Sequence, residues 1–334
     1  MTACELVIKI FKIIMLLPII FLIIGLVVLL AGGEVFIKGS ASLARKLKVT
    51  PIVIGLTVVA FGTSAAELVV NIISAMQGMP DLAIGNILGS NISNILLVLG
   101  ISAIIYPLAV KKGTVWKEIP FGIMAVGVLY VLFNDVLFGN SGYNILTRGD
   151  GIILLCFFAI FIYYTYGLSK VVGEDEKIST YTWTRSILFI LLGLIGLVFG
   201  GKLIVDNGVI LARLFGMSEL FIGLTVVAIG TSLPELAASG IAAYRHHEDL
   251  AIGNIVGSNI FNVLWVLGLT PLISPIKVNI NANVDLVIAM GAASLLFLFM
   301  FIGHKRNHYV LRRWQGVVMI LLYVAYLVFI GFRG

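Results

Sequence analysis

Charge is what this chain has least of. Only 11% of its 334 residues are Asp, Glu, Lys or Arg, against about 25% in ordinary soluble domains. With 60% hydrophobic residues and a mean hydropathy of +1.13, the chain lacks the polar groups to cover a globular surface in water. Cysteine is nearly missing. Cys4 and Cys156 sit in unrelated contexts, too few for a disulfide framework or a thiolate metal site. The four histidines, His246, His247, His304 and His308, fall between apolar runs and read as solvated loop residues, not as a metal cluster. The net charge of +6 comes without a basic cluster interleaved with aromatics, so nucleic acid is excluded as a partner.

What the chain has in abundance is long apolar runs. Each is about 20 residues, the length at which a helix crosses a hydrocarbon core of about 30 Å. Polar breaks divide them into ten spans, 13–38, 51–77, 81–106, 117–137, 150–168, 186–212, 219–243, 249–273, 284–303 and 311–332. The expected fold class is an all-α polytopic membrane protein of ten transmembrane helices. Loops then alternate sides. One side collects fourteen basic residues: Arg45, Lys46, Lys48, Lys111, Lys112, Lys117, Lys170, Lys177, Arg185, Arg245, Lys305, Arg306, Arg312 and Arg313. The other side holds six, Lys9, Lys12, Arg148, Arg213, Lys277 and Arg333. The positive-inside rule makes the richer side cytoplasmic and turns both termini outward. The expected location is the cell membrane.

The chain also repeats itself. At an offset of 168 residues, Gly55–Gly100 aligns with Gly223–Gly268 without gaps, at 29 identities in 46 positions. GLTVVAFGTS (55–64) returns as GLTVVAIGTS (223–232), and DLAIGNILGSN (81–91) as DLAIGNIVGSN (249–259). The match reaches back to Gly25, Gly32 and Gly33, paired with Gly193, Gly200 and Gly201. A cleaved leader would have no counterpart in mid-chain, so the first span is expected to be a retained helix. The units are 1–168 and 186–334, joined by a cytoplasmic linker at 169–185. Five spans per unit is an odd number, so the second copy enters the membrane in the opposite sense. Transporters built from inverted-topology repeats place their site near the midplane between the halves.

The identities concentrate on polar residues. Glu67 and Glu235 each lie mid-span, where a carboxylate costs on the order of 3 kcal/mol on insertion scales, and no Lys or Arg at that depth is available as a partner. A protonated, hydrogen-bonded glutamate is one reading; a pair of carboxylates neutralising a bound cation is the other. Thr63 and Ser64 precede Glu67 by four and three residues, on one helical face, and Thr231, Ser232 and Glu235 repeat the pattern. Every donor is oxygen, which suits calcium or sodium and not zinc or copper. Pro234, with Gly62 and Gly230, loosens the helix and frees carbonyls near Ala60 and Ala228. Repeat 1 has Ala66 in place of Pro234, so its kink has less support. The next span carries Asn86, Ser90 and Asn94, matched by Asn254, Ser258 and Asn262 at i, i+4 and i+8. Such a stripe either lines an ion site or bonds neighbouring helices. Gly85/Gly89 and Gly253/Gly257 are spaced for close helix packing.

GTS-x-x-E followed by GN-x-x-GSN-x-x-N, twice, resembles the cation/calcium exchanger superfamily, most of all its prokaryotic sodium/calcium exchanger branch. The resemblance covers essentially the whole chain. It implies ten helices, with ion sites built by the second, third, seventh and eighth. The implied ligands are Thr63, Ser64, Glu67, Ser90 and Asn94, with Thr231, Ser232, Glu235, Ser258 and Asn262, joined by the carbonyls of Ala60 and Ala228. Asn262 stands where some prokaryotic members and the potassium-dependent branch have aspartate, which argues against potassium co-transport. Both copies read GTS, where the proton-coupled branch has GN, so sodium coupling is expected.

Two ionised glutamates offer −2. One calcium ion neutralises them, and the three sodium ions implied by the resemblance leave +1, making exchange electrogenic. The expected function is sodium-for-calcium antiport by alternating access, with the first and sixth helices moving; the alternative is a calcium/proton exchanger. A channel would use similar oxygens, and an intramembrane protease would need paired aspartates in a GxGD context that this chain lacks. Neither an enzyme, a cofactor nor an obligatory protein partner is expected. The partners are the bilayer and the two ions.

Overall fold

The computed structural model describes residues 3–138, 143–170, 181–215, 228–302 and 309–333. In chain order the long helices are α1 (Ala3–Leu47), the pair α2 (Pro51–Thr63) and α3 (Ala65–Met76), α4 (Pro80–Ile105), α5 (Thr114–Leu132), α6 (Arg148–Ser169) and α7 (Trp183–Leu214). They continue with α8 (Ala228–Thr231), α9 (Leu233–Tyr244), α10 (Glu248–Ile273), α11 (Ala282–Phe301) and α12 (Arg313–Arg333). Among the described residues, eight unbroken helices are long and apolar enough to cross a bilayer, and α2 with α3 makes a ninth span bent by 42°. The expected span 219–243 is described from Ala228 onward, and its earlier part lies outside the described residues.

Most boundaries fall within a few residues of those expected from hydropathy. The first does not: the helix runs on to Leu47, nine residues beyond the expected end at 38. Glu34 and Lys38, which look like a polar end, are one turn apart and pair at 2.9 Å, so the helix continues through them. The apolar part of α1 and all of α7 are 32 residues each. At 1.5 Å per residue each is about 48 Å long, well beyond a core of about 30 Å, so both must tilt.

The two tilted helices lie along one another, seated by glycines. A Cβ on Gly200 would meet Leu29 N at 2.5 Å, one on Gly193 would meet Phe36 N at 2.5 Å, and one on Gly32 would meet the Gly196 carbonyl carbon at 2.7 Å. Such backbone approach is how membrane helices associate where no hydrophobic force distinguishes neighbour from lipid. Glu34 also binds Arg245, just past α9, through Nε at 3.1 Å and through Nη2.

The centre belongs to α4 and α10. In these two, 78% and 89% of the apolar window is buried inside the protein, against 39% or less in the other unbroken spanning helices. Two short antiparallel ribbons strap the halves together. β1 (Leu108–Val110), just after α4, pairs with β4 (Tyr309–Leu311), just before α12, in the register Leu108↔Leu311. β2 (Ile145–Leu146), just before α6, pairs with β3 (Ile276–Lys277), just after α10. The 168-residue offset carries β1 onto β3, so each half lends the other an equivalent strand.

Candidate ion-binding site

Both copies of the GTS-x-x-E segment break the helix at the serine. Ser64 has φ −77°, ψ 1° and Ser232 has φ −88°, ψ 3°, and a new helix starts at the next residue in each case. The break therefore does not depend on Pro234, since Ala66 stands at the equivalent position in repeat 1. What the two copies share is the Gly-Thr-Ser run. Glu67 and Glu235 fall in the first turn of α3 and α9, beside N-terminal N–H groups whose dipole favours negative charge. Both are completely buried.

Across from these breaks stand α4 and α10. Thr63 Oγ1 lies 3.2 Å from Val59 O, 3.1 Å from Asn254 Oδ1 and 3.3 Å from Ser258 Oγ, so repeat 1's threonine is held by repeat 2's stripe. Asn254 Nδ2 donates in turn to Ser239 Oγ at 2.9 Å, and its equivalent Asn86 Nδ2 donates to Asn71 Oδ1 at 3.0 Å. Ala60 O accepts from Ser64 N at 2.9 Å and lies 3.4 Å from Thr63 Oγ1. Thr231 is half-buried, and Ala228 opens the described part of its helix.

Four asparagines cross between the halves. Asn91 Nδ2 donates to Asn259 O at 3.2 Å and Asn259 Nδ2 to Asn91 O at 3.2 Å. Asn94 Nδ2 donates to Asn259 Oδ1 at 3.0 Å and Asn262 Nδ2 to Asn91 Oδ1 at 3.1 Å. Asn91 and Asn259 were not among the expected ligands. Their signal was present in the repeated GSN, but they sit off the i, i+4, i+8 stripe and so read as another face. At Asn94 and beside Asn262 the helices widen into π-helical turns, Asn94–Leu99 and Phe261–Val266, a distortion frequent at functional sites.

Nine buried oxygens here have no hydrogen-bond partner among the described residues: Ser64 Oγ, both of Glu67, Ser90 Oγ, Asn94 Oδ1, Ser232 Oγ, both of Glu235, and Asn262 Oδ1. Such a set makes sense as a coordination shell for hard cations, whose ligands are oxygen. All seven residues were expected from the sequence. Among the described residues no group of three or more His, Cys, Asp or Glu could hold a metal, the candidate site with its two carboxylates included. His247 begins α10, where burial first and the Arg245 charge second push its imidazole below the usual value, and His246 packs edge-on against Tyr106.

The two flanks of the site differ. Gly253 and Gly257 of α10 are pressed against α2, where Cβ atoms on them would meet Ile52 O at 2.9 Å and Ala60 Cβ at 2.7 Å. On the equivalent face of α4 Gly85 is exposed, and Asn86 and Gly89 are half-exposed, where Gly253, Asn254 and Gly257 are buried; the repeat-2 counterpart of the α2 stretch that packs on α10, 219–227, lies outside the described residues.

The family model described as sodium/calcium exchanger protein matches residues 17–167 and 185–332. The putative antiporter CaxA of Alkalimonas amylolytica is 39% identical over 324 residues, covering 93% of this chain and 98% of its own. The sodium/calcium exchanger MaX1 of Methanosarcina acetivorans is 29% identical, covering 92% and 96%. The Ca(2+)/H(+) antiporter ChaA of Bacillus subtilis is 24% identical, covering 86% and 85%. Among solved structures, the sodium-calcium exchanger NCX_Mj soaked with sodium and strontium matches with a TM-score of 0.80 at 32% identity, covering 94% of this chain and 99% of that one.

Proposed function

The chain belongs to the sodium/calcium exchanger family, a family of membrane transporters, and from that premise we propose that it exchanges sodium for calcium by alternating access. One observation carries the reading: two buried glutamates, one from each repeat, stand among neutral oxygens that lack partners among the described residues. A −2 site is neutralised by one calcium ion. The ligand set is Ser64, Glu67, Ser90 and Asn94 with Ser232, Glu235, Ser258 and Asn262, completed by Thr63, Thr231 and the carbonyls of Ala60 and Ala228. Sodium can use the hydroxyl, amide and carbonyl oxygens that calcium vacates. If the exchange moves one net charge, a membrane potential drives it by about 2.3 kcal/mol per 100 mV.

The halves are 1–168 and 186–334, with 169–185 as a cytoplasmic linker and both termini outside. In that orientation the N-terminal half of α4 lies toward the outside, and the contact of α2 with α10 lies toward the cytoplasm. The tilted pair of α1 and α7 is joined backbone to backbone and is the unit that slides. Calcium/proton exchange is the second reading, favoured by the likeness to the Ca(2+)/H(+) antiporter of Bacillus subtilis. Glu67→Gln and Glu235→Gln should each abolish calcium exchange in proteoliposomes while the protein still elutes as a folded monodisperse species. Near-normal flux in either variant would refute a shared site.

A further inference from the structure

The reading above assigns Asn94 and Asn262 as neutral ligands, but an asparagine amide serves a cation only when its oxygen, not its NH2 group, faces the ion. Nothing in the side chain itself decides this, because the two ends are nearly the same size. Here the choice is forced from outside. Asn91 and Asn259 each donate to a backbone carbonyl of the other, at 3.2 Å in both directions. A carbonyl only accepts, so Nδ2 of each must point at it, and each Oδ1 is thereby fixed. Those fixed oxygens are what Asn262 and Asn94 meet, at 3.1 and 3.0 Å, so both must turn Nδ2 toward them. Their own Oδ1 atoms are left turned away, buried and unpartnered among the described residues.

We infer that Asn91 and Asn259 are positioning residues that orient the ligand amides across the repeat boundary, Asn91 setting Asn262 and Asn259 setting Asn94. The control is reciprocal: each half fixes the ligand of the other, so neither half builds a competent site alone. The backbone carbonyls anchor the chain of decisions in the two most buried helices, α4 and α10. A flipped ligand amide would set oxygen against oxygen in the ring and offer hydrogens to the ion. Partners behind metal ligands typically account for 10- to 100-fold in affinity.

The inference rests on the proposed binding of calcium, and the test separates the two. Calcium binding to purified protein is measured by titration calorimetry for wild type, Asn91→Ala, Asn262→Ala and the double variant, with thermal unfolding of each recorded alongside. Asn91→Ala is expected to weaken calcium binding about tenfold in the wild-type background and to add nothing once Asn262 has lost its amide. A purely structural clamp would weaken binding in both backgrounds alike, and that additive result would overturn the inference. The same cycle at Asn259 and Asn94 gives a second arm if Asn91→Ala does not fold. Loss of folded protein in both arms would also overturn it, since the asparagines would then act through the fold. Wild-type protein that binds no calcium would strike the proposed function itself.

Discussion

At the scale of single residues, the asparagine at position 262 gives the proposed site its sharpest test with protons. Asn262 cannot titrate, and its Nδ2 donates to Asn91 Oδ1, an oxygen whose direction is fixed by the Asn259 carbonyl. In N262D two acceptors would face each other, and a proton or a cation must sit between them. The variant is expected to give calcium flux that falls as pH is lowered from about 8 to about 6, because protons compete with the cation for the added carboxylate. Wild-type flux should change less over that range. An N262D profile that parallels wild type would show that position 262 does not border the ions. Duplication made the candidate ligands legible: a polar residue placed mid-span twice, at the same offset, calls for more than packing. Asn91 and Asn259 were printed twice as well. Their meaning depends on how α4 crosses α10, and one helix's own periodicity does not contain that.

Elements were legible where hydropathy and length decide them, and less so where partners do. Eight unbroken spans follow from apolar runs, but the end of α1 was misplaced because the Glu34–Lys38 pair neutralises itself within the helix. Repeat 1 lacks the proline that marks the break in repeat 2, yet the helix breaks at Ser64 without one. The π-helical turns left no trace in the letters. Packing between α1 and α7 gives the sharpest prediction at this scale. Gly200→Ala would drive a methyl into Leu29 N, and Gly193→Ala one into Phe36 N. Forcing a methylene-sized group into a packed contact costs about 1–3 kcal/mol, more than the fraction of a kcal/mol to about 1 kcal/mol that alanine returns in helix propensity. Both variants should unfold at lower temperature in detergent. Gly127→Ala, with nothing within 4 Å among the described residues, should hold or gain stability. Equal or greater stability in Gly200→Ala would mean that the two long helices are not seated on one another as described.

At the scale of the whole molecule, the repeat predicted two halves, and the structure adds how they hold together: crossed asparagines at the centre and a lent strand at each end. Orientation rests on the fourteen-to-six distribution of basic residues. Single cysteines at Lys46 and Lys177 should resist impermeant thiol reagents added to intact cells, while one at Gly85, on the exposed face of α4, should react. Labelling of the first two from outside would reverse the topology and leave the repeat untouched. The central claim is that one shared site passes calcium one way in exchange for sodium the other. The measurement that tests it most directly is calcium flux in proteoliposomes holding the purified protein, with sodium and proton gradients imposed separately. Calcium accumulation should follow an outwardly directed sodium gradient at uniform pH, and a proton gradient without sodium should drive none. Accumulation driven by protons in the complete absence of sodium would contradict the account and make calcium/proton exchange the function of this site.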